Sequence, residues 1–142
     1  MKKILCATDG SHCAEKAVEF AIELALLAKA ELTFIHVIRP TGEDVSKTHF
    51  WDFNMLRAAD EQIQMELQKA FDKAFQRGLG SASCTTVQGH NTAAAIINFA
   101  DVNEHDHVIT GSVGRTGVSK VLLGSIAEQV ISKAHCPVTV VR

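Results

Sequence analysis

The chain has 142 residues, 46% of them hydrophobic, and a formal charge of −2. That length supports one domain with a substantial core. The near balance of charge gives no electrostatic case for nucleic-acid binding, and no run approaches the apolar length of a membrane-spanning helix, so neither partner is expected. The opening Met1-Lys2-Lys3-Ile4-Leu5-Cys6 is broken by Asp9 too early for the apolar region of a signal peptide. Cys6, Cys13, Cys84 and Cys136 form no Cys-x-x-Cys pair. They read as reduced thiols of a cytoplasmic protein, mostly core filler.

In chain order, Ile4 to Thr8 is an apolar run that predicts a buried strand, ended by Asp9-Gly10-Ser11. Ala14, Ala17, Val18, Ala21, Ile22, Ala25 and Leu26 then recur at helical spacing. Leu32 to Ile38 is the second strand, rich in β-branched and aromatic residues. A long amphipathic helix runs from Leu56 through Ile63, Leu67, Phe71 and Phe75 and is closed by Gly78. Ala82 to Val87 is a third strand, and Asn91 or Thr92 caps a short helix carrying Ile96, Ile97 and Phe99. His107 to Thr110 is the fourth strand and Val138 to Val141 the last. Between them lies a helix that His135-Cys136-Pro137 stops.

Strand and helix alternate throughout, which predicts an α/β fold: a parallel sheet covered on both faces by right-handed crossovers. Ligands of such sheets sit beyond the carboxyl ends of the strands, where strand order reverses. Asp9, Val37 and Gly111 each end a predicted strand. With the order 3-2-1-4-5, Asp9 and Gly111 face each other across one crevice.

The stretch from Thr110 to Ser125 is the densest in glycine, with Gly111, Gly114, Gly117 and Gly124. Ser125-Ile126-Ala127-Glu128 reads as a capping box starting a helix at Ser125. Amides at such a start, behind a side-chain-free Gly124, make an anion site, and the bend at Gly111 and Gly114 adds further N–H groups. Neither the Walker A pattern nor Gly-x-Gly-x-x-Gly is present. A phosphate-bearing ligand is one reading of Gly-x2-Gly-x9-Gly-Ser. The other is that the glycines serve a tight loop packed on a helix.

The spacing resembles the nucleotide-binding motif of the universal stress protein family, and the resemblance extends along the chain. Ile4-Leu5-Cys6-Ala7-Thr8-Asp9-Gly10-Ser11 looks like that family's opening strand and Phe34-Ile35-His36-Val37 like its second. Gly111 to Gly117 with Leu122-Leu123-Gly124-Ser125 looks like its glycine motif, and Cys136-Pro137-Val138-Thr139-Val140-Val141 like its closing strand. The resemblance implies one universal stress protein domain over residues 1–142. Its fold would be an open parallel five-stranded sheet, Rossmann-like and similar to the adenine nucleotide alpha hydrolases. It also implies the branch of the family that binds ATP, with AMP or ADP as related ligands and Mg2+ or Mn2+ accompanying them. Departures are Ala7 in place of a common proline, Val113 in place of a histidine or arginine, and His90-Asn91 in place of an acidic-proline pair. Val113 removes one phosphate partner.

The implied site comprises Ala7, Thr8, Asp9, Val37, Thr110, Gly111, Ser112, Gly114, Arg115, Gly124, Ser125 and Ile126. Asp9 either contacts ribose, adenine or a divalent cation, or caps the following helix. Val37 offers backbone groups and an apolar face to adenine. Arg115 contacts phosphate or is a solvated loop charge. Ser125 is in tension between capping its helix and donating to phosphate. His105-Asp106-His107 lacks a recognisable ligand set for a metal, His36 is expected to be packed or hydrogen-bonded rather than catalytic, and Cys6 inert. Phe50, Trp51 and Phe53 either anchor a helix start or form a lid or partner patch.

Three functions compete. One is a cytoplasmic, ATP-dependent regulatory module of the stress response, dimeric through the C-terminal strand, whose protein partner the sequence does not name. The second is a slow ATPase or nucleotidyl transferase, for which no second catalytic element is visible, so no catalytic residue is assigned. The third is a ligand-free dimeric adaptor.

Overall fold

A computed structural model describes residues 1–9, 11–40, 53–113 and 123–142, with the side chains of 53–60 excepted. Gly10, Gly114, Arg115, Gly117, Leu122 and the aromatics Phe50 and Trp51 lie outside the described residues, as does the side chain of Phe53. In order, the elements are β1 (Lys3–Ala7), α1 (His12–Ala28), β2 (Glu31–Ile38), α2 (Phe53–Gln76), β3 (Ala82–Gln88), α3 (Thr92–Val102), β4 (His107–Gly111), α4 (Ser125–Lys133) and β5 (Val138–Val141). The five strands form one sheet in the order β3-β2-β1-β4-β5, every pairing parallel. This is the expected architecture. Strand ends differ from expectation by a residue, as at β1, where Thr8 falls just beyond the strand.

The sheet is buried on both faces because its central strands are apolar at successive positions. In β1, Ile4 and Cys6 pack with Ala17, Ala21, Phe34 and Leu67 beneath α1 and α2. Leu5 between them faces the other way, joining Ile35, Ile96, Val108 and Val130 beneath α3 and α4. Period-2 alternation therefore feeds two cores at once, the signature of a doubly covered parallel sheet. Burial pushes the Cys6 thiol up to about 12, which keeps it unreactive. All four cysteines are free, but the core-filler expectation holds for Cys6; Cys13 and Cys136 are half-buried and Cys84 is exposed.

Three helices end in the same way. After α2, Gly78 takes φ 88°, and the N–H groups of Gly78 and Leu79 donate to Phe75 O and Ala74 O. That is a Schellman motif. After α1 the left-handed position is Lys29 (φ 54°), with Ala30 N–H on Ala25 O; after α3 it is Glu104 (φ 57°), with His105 N–H on Ala100 O. A side chain at positive φ carries a penalty that glycine escapes, partly offset by glycine's larger loss of freedom on folding. Lys29→Gly and Glu104→Gly are each expected to stabilise the fold by about 0.5–1 kcal/mol. In thermal melts each should raise Tm by roughly 2–4 °C; a fall in Tm for both would show that the side chains contribute more than the strain they impose.

Candidate functional site

The carboxyl ends of β2, β1 and β4 open into a cavity of about 320 Å³, within the range of small-molecule clefts. Ala7, Thr8, Asp9, Val37, Thr110, Gly111, Ser112, Gly124, Ser125 and Ile126 all line it. The expected crevice is therefore real, and the described part of the expected site converges there; Gly114 and Arg115 are the two members that lie outside the described residues. Ser11, Ala14, Ile35, His36, Thr92, Ile96, Val113, Leu123 and Ala127 complete the wall. The sequence reading missed most of these. Ile35 was readable as the in-facing neighbour of Val37 at period 2, and Thr92 as one helical turn before Ile96.

Helices α1, α3 and α4 all begin at the rim. At α1, Ser11 caps the helix by accepting from Ala14 N–H at 3.2 Å. At α3, Asn91 accepts from Ala94 N–H at 3.0 Å. At α4 the cap is Gly124, in extended geometry (φ −71°, ψ 162°), with no side-chain cap. Gly124 O accepts the first helical bond, from Glu128 N–H at 3.0 Å. The earlier amides of that turn have no intrahelical acceptor. The helix starts at Ser125 as expected, but the expectation that Ser125 is its cap is corrected here: the cap is Gly124, and Ser125 is the first helical residue. The tension at Ser125 disappears with it, because its hydroxyl is not spent on capping.

Asp9 performs a local task. Its Oδ1 accepts from Ser11 N–H at 2.9 Å, closing the turn into α1. Among the described lining residues it is the one carboxylate, and none is Lys or Arg. Thr8 N–H donates to Ile35 O at 2.9 Å, continuing the β1–β2 pairing to the rim.

The two described motif glycines differ in what their missing side chains would meet. A Cβ on Gly111 would lie 2.9 Å from Cys13 C, 3.0 Å from Cys13 Cβ and 3.1 Å from Ala14 N. Gly111 is therefore required by the close passage of α1, as well as lining the cavity. A Cβ on Gly124 would lie 3.2 Å from Ser112 O and 3.4 Å from Val113 Cα. Gly124 N–H also donates to Ser112 O, at 2.6 Å, and Ser112 N–H to Val141 O at 2.8 Å. The start of α4 is thus held against the end of β4, which in turn is tied to β5.

His36 lines the cavity, whereas His105 and His107 lie away from it. Asp106 sits at the opposite, amino-terminal end of the sheet, where its Oδ2 accepts from Lys2 N–H at 2.7 Å. His107 Nε2 pairs with Thr139 Oγ1 at 2.8 Å and His105 Nε2 with Thr33 Oγ1 at 3.3 Å. Burial lowers both imidazole pKa values, His105 further through nearby Lys3. No group of three or more His, Cys, Asp or Glu able to hold a metal occurs among the described residues. His36 is half-buried, as expected of a packed residue, and its Nδ1 has no partner among the described residues. No described helix is long and apolar enough to cross a membrane.

The family model described as "Universal stress protein family" matches residues 1–142. A universal stress protein of Methanocaldococcus jannaschii is 34% identical over 99% of this chain and 82% of its own length. The universal stress protein YxiE of Bacillus subtilis is 31% identical over 99% of this chain and 98% of its own. Among solved structures, the hypothetical protein MJ0577 superposes with a TM-score of 0.82 at 28% identity, covering 99% of this chain and 94% of that one. Two more distant structures share the fold: a universal stress protein in complex with cAMP (TM-score 0.73, 23% identity, 99% and 96% covered) and one from Archaeoglobus fulgidus in complex with dAMP (TM-score 0.70, 22% identity, 100% and 98% covered).

Proposed function

The chain belongs to the universal stress protein family, and we propose that it is an adenine-nucleotide-binding member acting as a cytoplasmic regulatory module in the stress response. The observation that carries this reading is the start of α4. Of the three helix starts at the cavity, two are closed by side chains, and this one is a glycine with free first-turn amides. An uncapped helix N-terminus facing a cleft favours an anion. The apolar wall of Ile35, Val37 and Ile96 across the cavity suits a base. Support from outside the chain is that structurally similar proteins are complexes with cAMP and dAMP.

The ligand proposed is ATP, with AMP or ADP as the related alternatives, bound through the residues named above together with Gly114 and Arg115. A divalent cation, Mg2+ or Mn2+, fits one carboxylate plus phosphate oxygens and water, and Asp9 is the residue that would hold it. Turnover is not part of the proposal, since a base poised beside a charge clamp is not found among the described lining residues. Denaturing the protein as purified, and identifying any released nucleotide, tests the reading directly. No released nucleotide, together with no thermal shift on adding AMP, ADP or ATP at millimolar concentration, would overturn it. The ligand-free adaptor would then stand, supported by the packing role of Gly111.

We further propose a homodimer built on β5. This strand is the last in the sheet order and pairs with β4 on one side. Val138-Thr139-Val140-Val141 carries no charge or proline that would blunt its outer edge. Antiparallel pairing with a two-fold mate closes at two copies. Val140→Pro is expected to shift the sedimentation equilibrium toward monomer at micromolar concentration, and wild type that sediments as monomer there rules the arrangement out.

A further inference from the structure

We infer that Thr92 reads the base of the bound nucleotide, its hydroxyl oxygen accepting a hydrogen bond from the exocyclic amine of adenine. The inference rests on the adenine-nucleotide reading above and adds a residue to it. Thr92 is the first residue of α3 and lines the cavity. Ile96, one turn later and on the same helix face, is buried with Leu5, Ile35 and Val108 against the sheet. Continuing that face one turn back carries Thr92 past the strand ends and over the opening. The link from β3 keeps it close to β2: a Cβ on Gly89 would lie 3.0 Å from Ala95 Cβ and 4.0 Å from Val37 Cγ1.

The two flanks of the cavity differ in chemistry. The β4 flank carries Ser112, Gly124 and the free amides of α4, which take the phosphate. The β2 flank carries Ile35, His36 and Val37, with Ile96 of α3 beside them, and is mainly apolar. With β1 between them, the flanks lie two strand spacings apart, about 10 Å. A nucleotide anchored at α4 therefore places its base between β2 and α3. Apolar walls hold a purine by its faces, but its amino group loses water there and needs an acceptor. Thr92 supplies one on this flank. Its hydroxyl makes no hydrogen bond among the described residues, and it is not needed to cap α3, because Asn91 does that at 3.0 Å.

The test compares adenosine 5′-monophosphate with purine riboside 5′-monophosphate, which lacks the exocyclic amine. Titration calorimetry on wild type is expected to show a five- to tenfold preference for the adenosine ligand, about the value of one neutral hydrogen bond. Thr92→Val should cut that preference by at least threefold while changing the affinity for the purine riboside ligand little. Thr92→Ser should keep the preference, and unliganded melting should be unchanged in both variants. If wild type binds both ligands and Thr92→Val retains the full preference, the assignment of Thr92 is wrong and the site reading survives. If wild type binds neither ligand, both fall.

Discussion

Gly111→Val is expected to be the most destabilising single change at the cavity, costing about 3 kcal/mol, the upper part of the range for overpacking. The added Cβ would meet the backbone of Cys13 and Ala14 at 2.9–3.1 Å, and backbone at the first turn of a helix does not yield as a flexible side-chain tip does. Val141, opposite Gly111 on β5, and Ser112, next in the chain, fix β4 from the other side. The helix must therefore move. Ser11 and Ala14, which line the cavity from α1, move with it. The expected result is a Tm lower by roughly 6–12 °C and a weakened response to nucleotide. Gly111→Ala should show the same pattern at about half the size, since the first carbon makes the contact. An unchanged melt for Gly111→Ala would mean that α1 and β4 part at little cost.

How far the sequence reveals this molecule depends on the range of the interaction. Ile4, Leu5 and Cys6 sit on successive positions of one strand, so burial on both faces, and hence a parallel sheet, is readable from local pattern. Gly78 announces the end of α2 because residue type and backbone conformation agree there. Lys29 and Glu104 occupy the same left-handed position without any such signal, so the ends of α1 and α3 are not legible. The start of α4 at Ser125 is legible, but its cap is not: Ser125 and Glu128 have capping-box spacing, while the extended cap geometry belongs to Gly124. The convergence of Asp9, Val37, Gly111 and Ser125 follows from topology alone once the strand order is known. The demand of α1 on Gly111 spans about a hundred residues of sequence, and nothing local reveals it. From sequence Thr92 stands only as a candidate cap of α3; its helical phase with Ile96 is readable, but its place in the wall depends on α3 packing over β2.

Gly124→Val is expected to abolish nucleotide binding. A side chain at this position points toward Ser112 O, 3.2 Å from its first carbon, with Val113 Cα at 3.4 Å. Valine acts first by wedging α4 away from the end of β4, since Gly124 N–H is also bonded to Ser112 O. The free amides of the first turn are then displaced from the cavity they face. Some stability is lost too, about 1–2 kcal/mol for the crowding, with no added backbone strain because φ is −71°. A ligand at a hundredfold excess over Kd stabilises the fold it binds by about 2.7 kcal/mol, so wild type should gain roughly 5–10 °C in Tm with ATP. Gly124→Val should melt a few degrees lower than wild type without ligand and gain nothing with it. Asp9→Ala is the informative companion. It removes the bond to Ser11 N–H and leaves the α4 amides in place, so it should weaken the ATP shift and not remove it. A full ATP shift in Gly124→Val would mean that the α4 amides do not hold the phosphate, and the ligand-free adaptor would become the better account of these glycines.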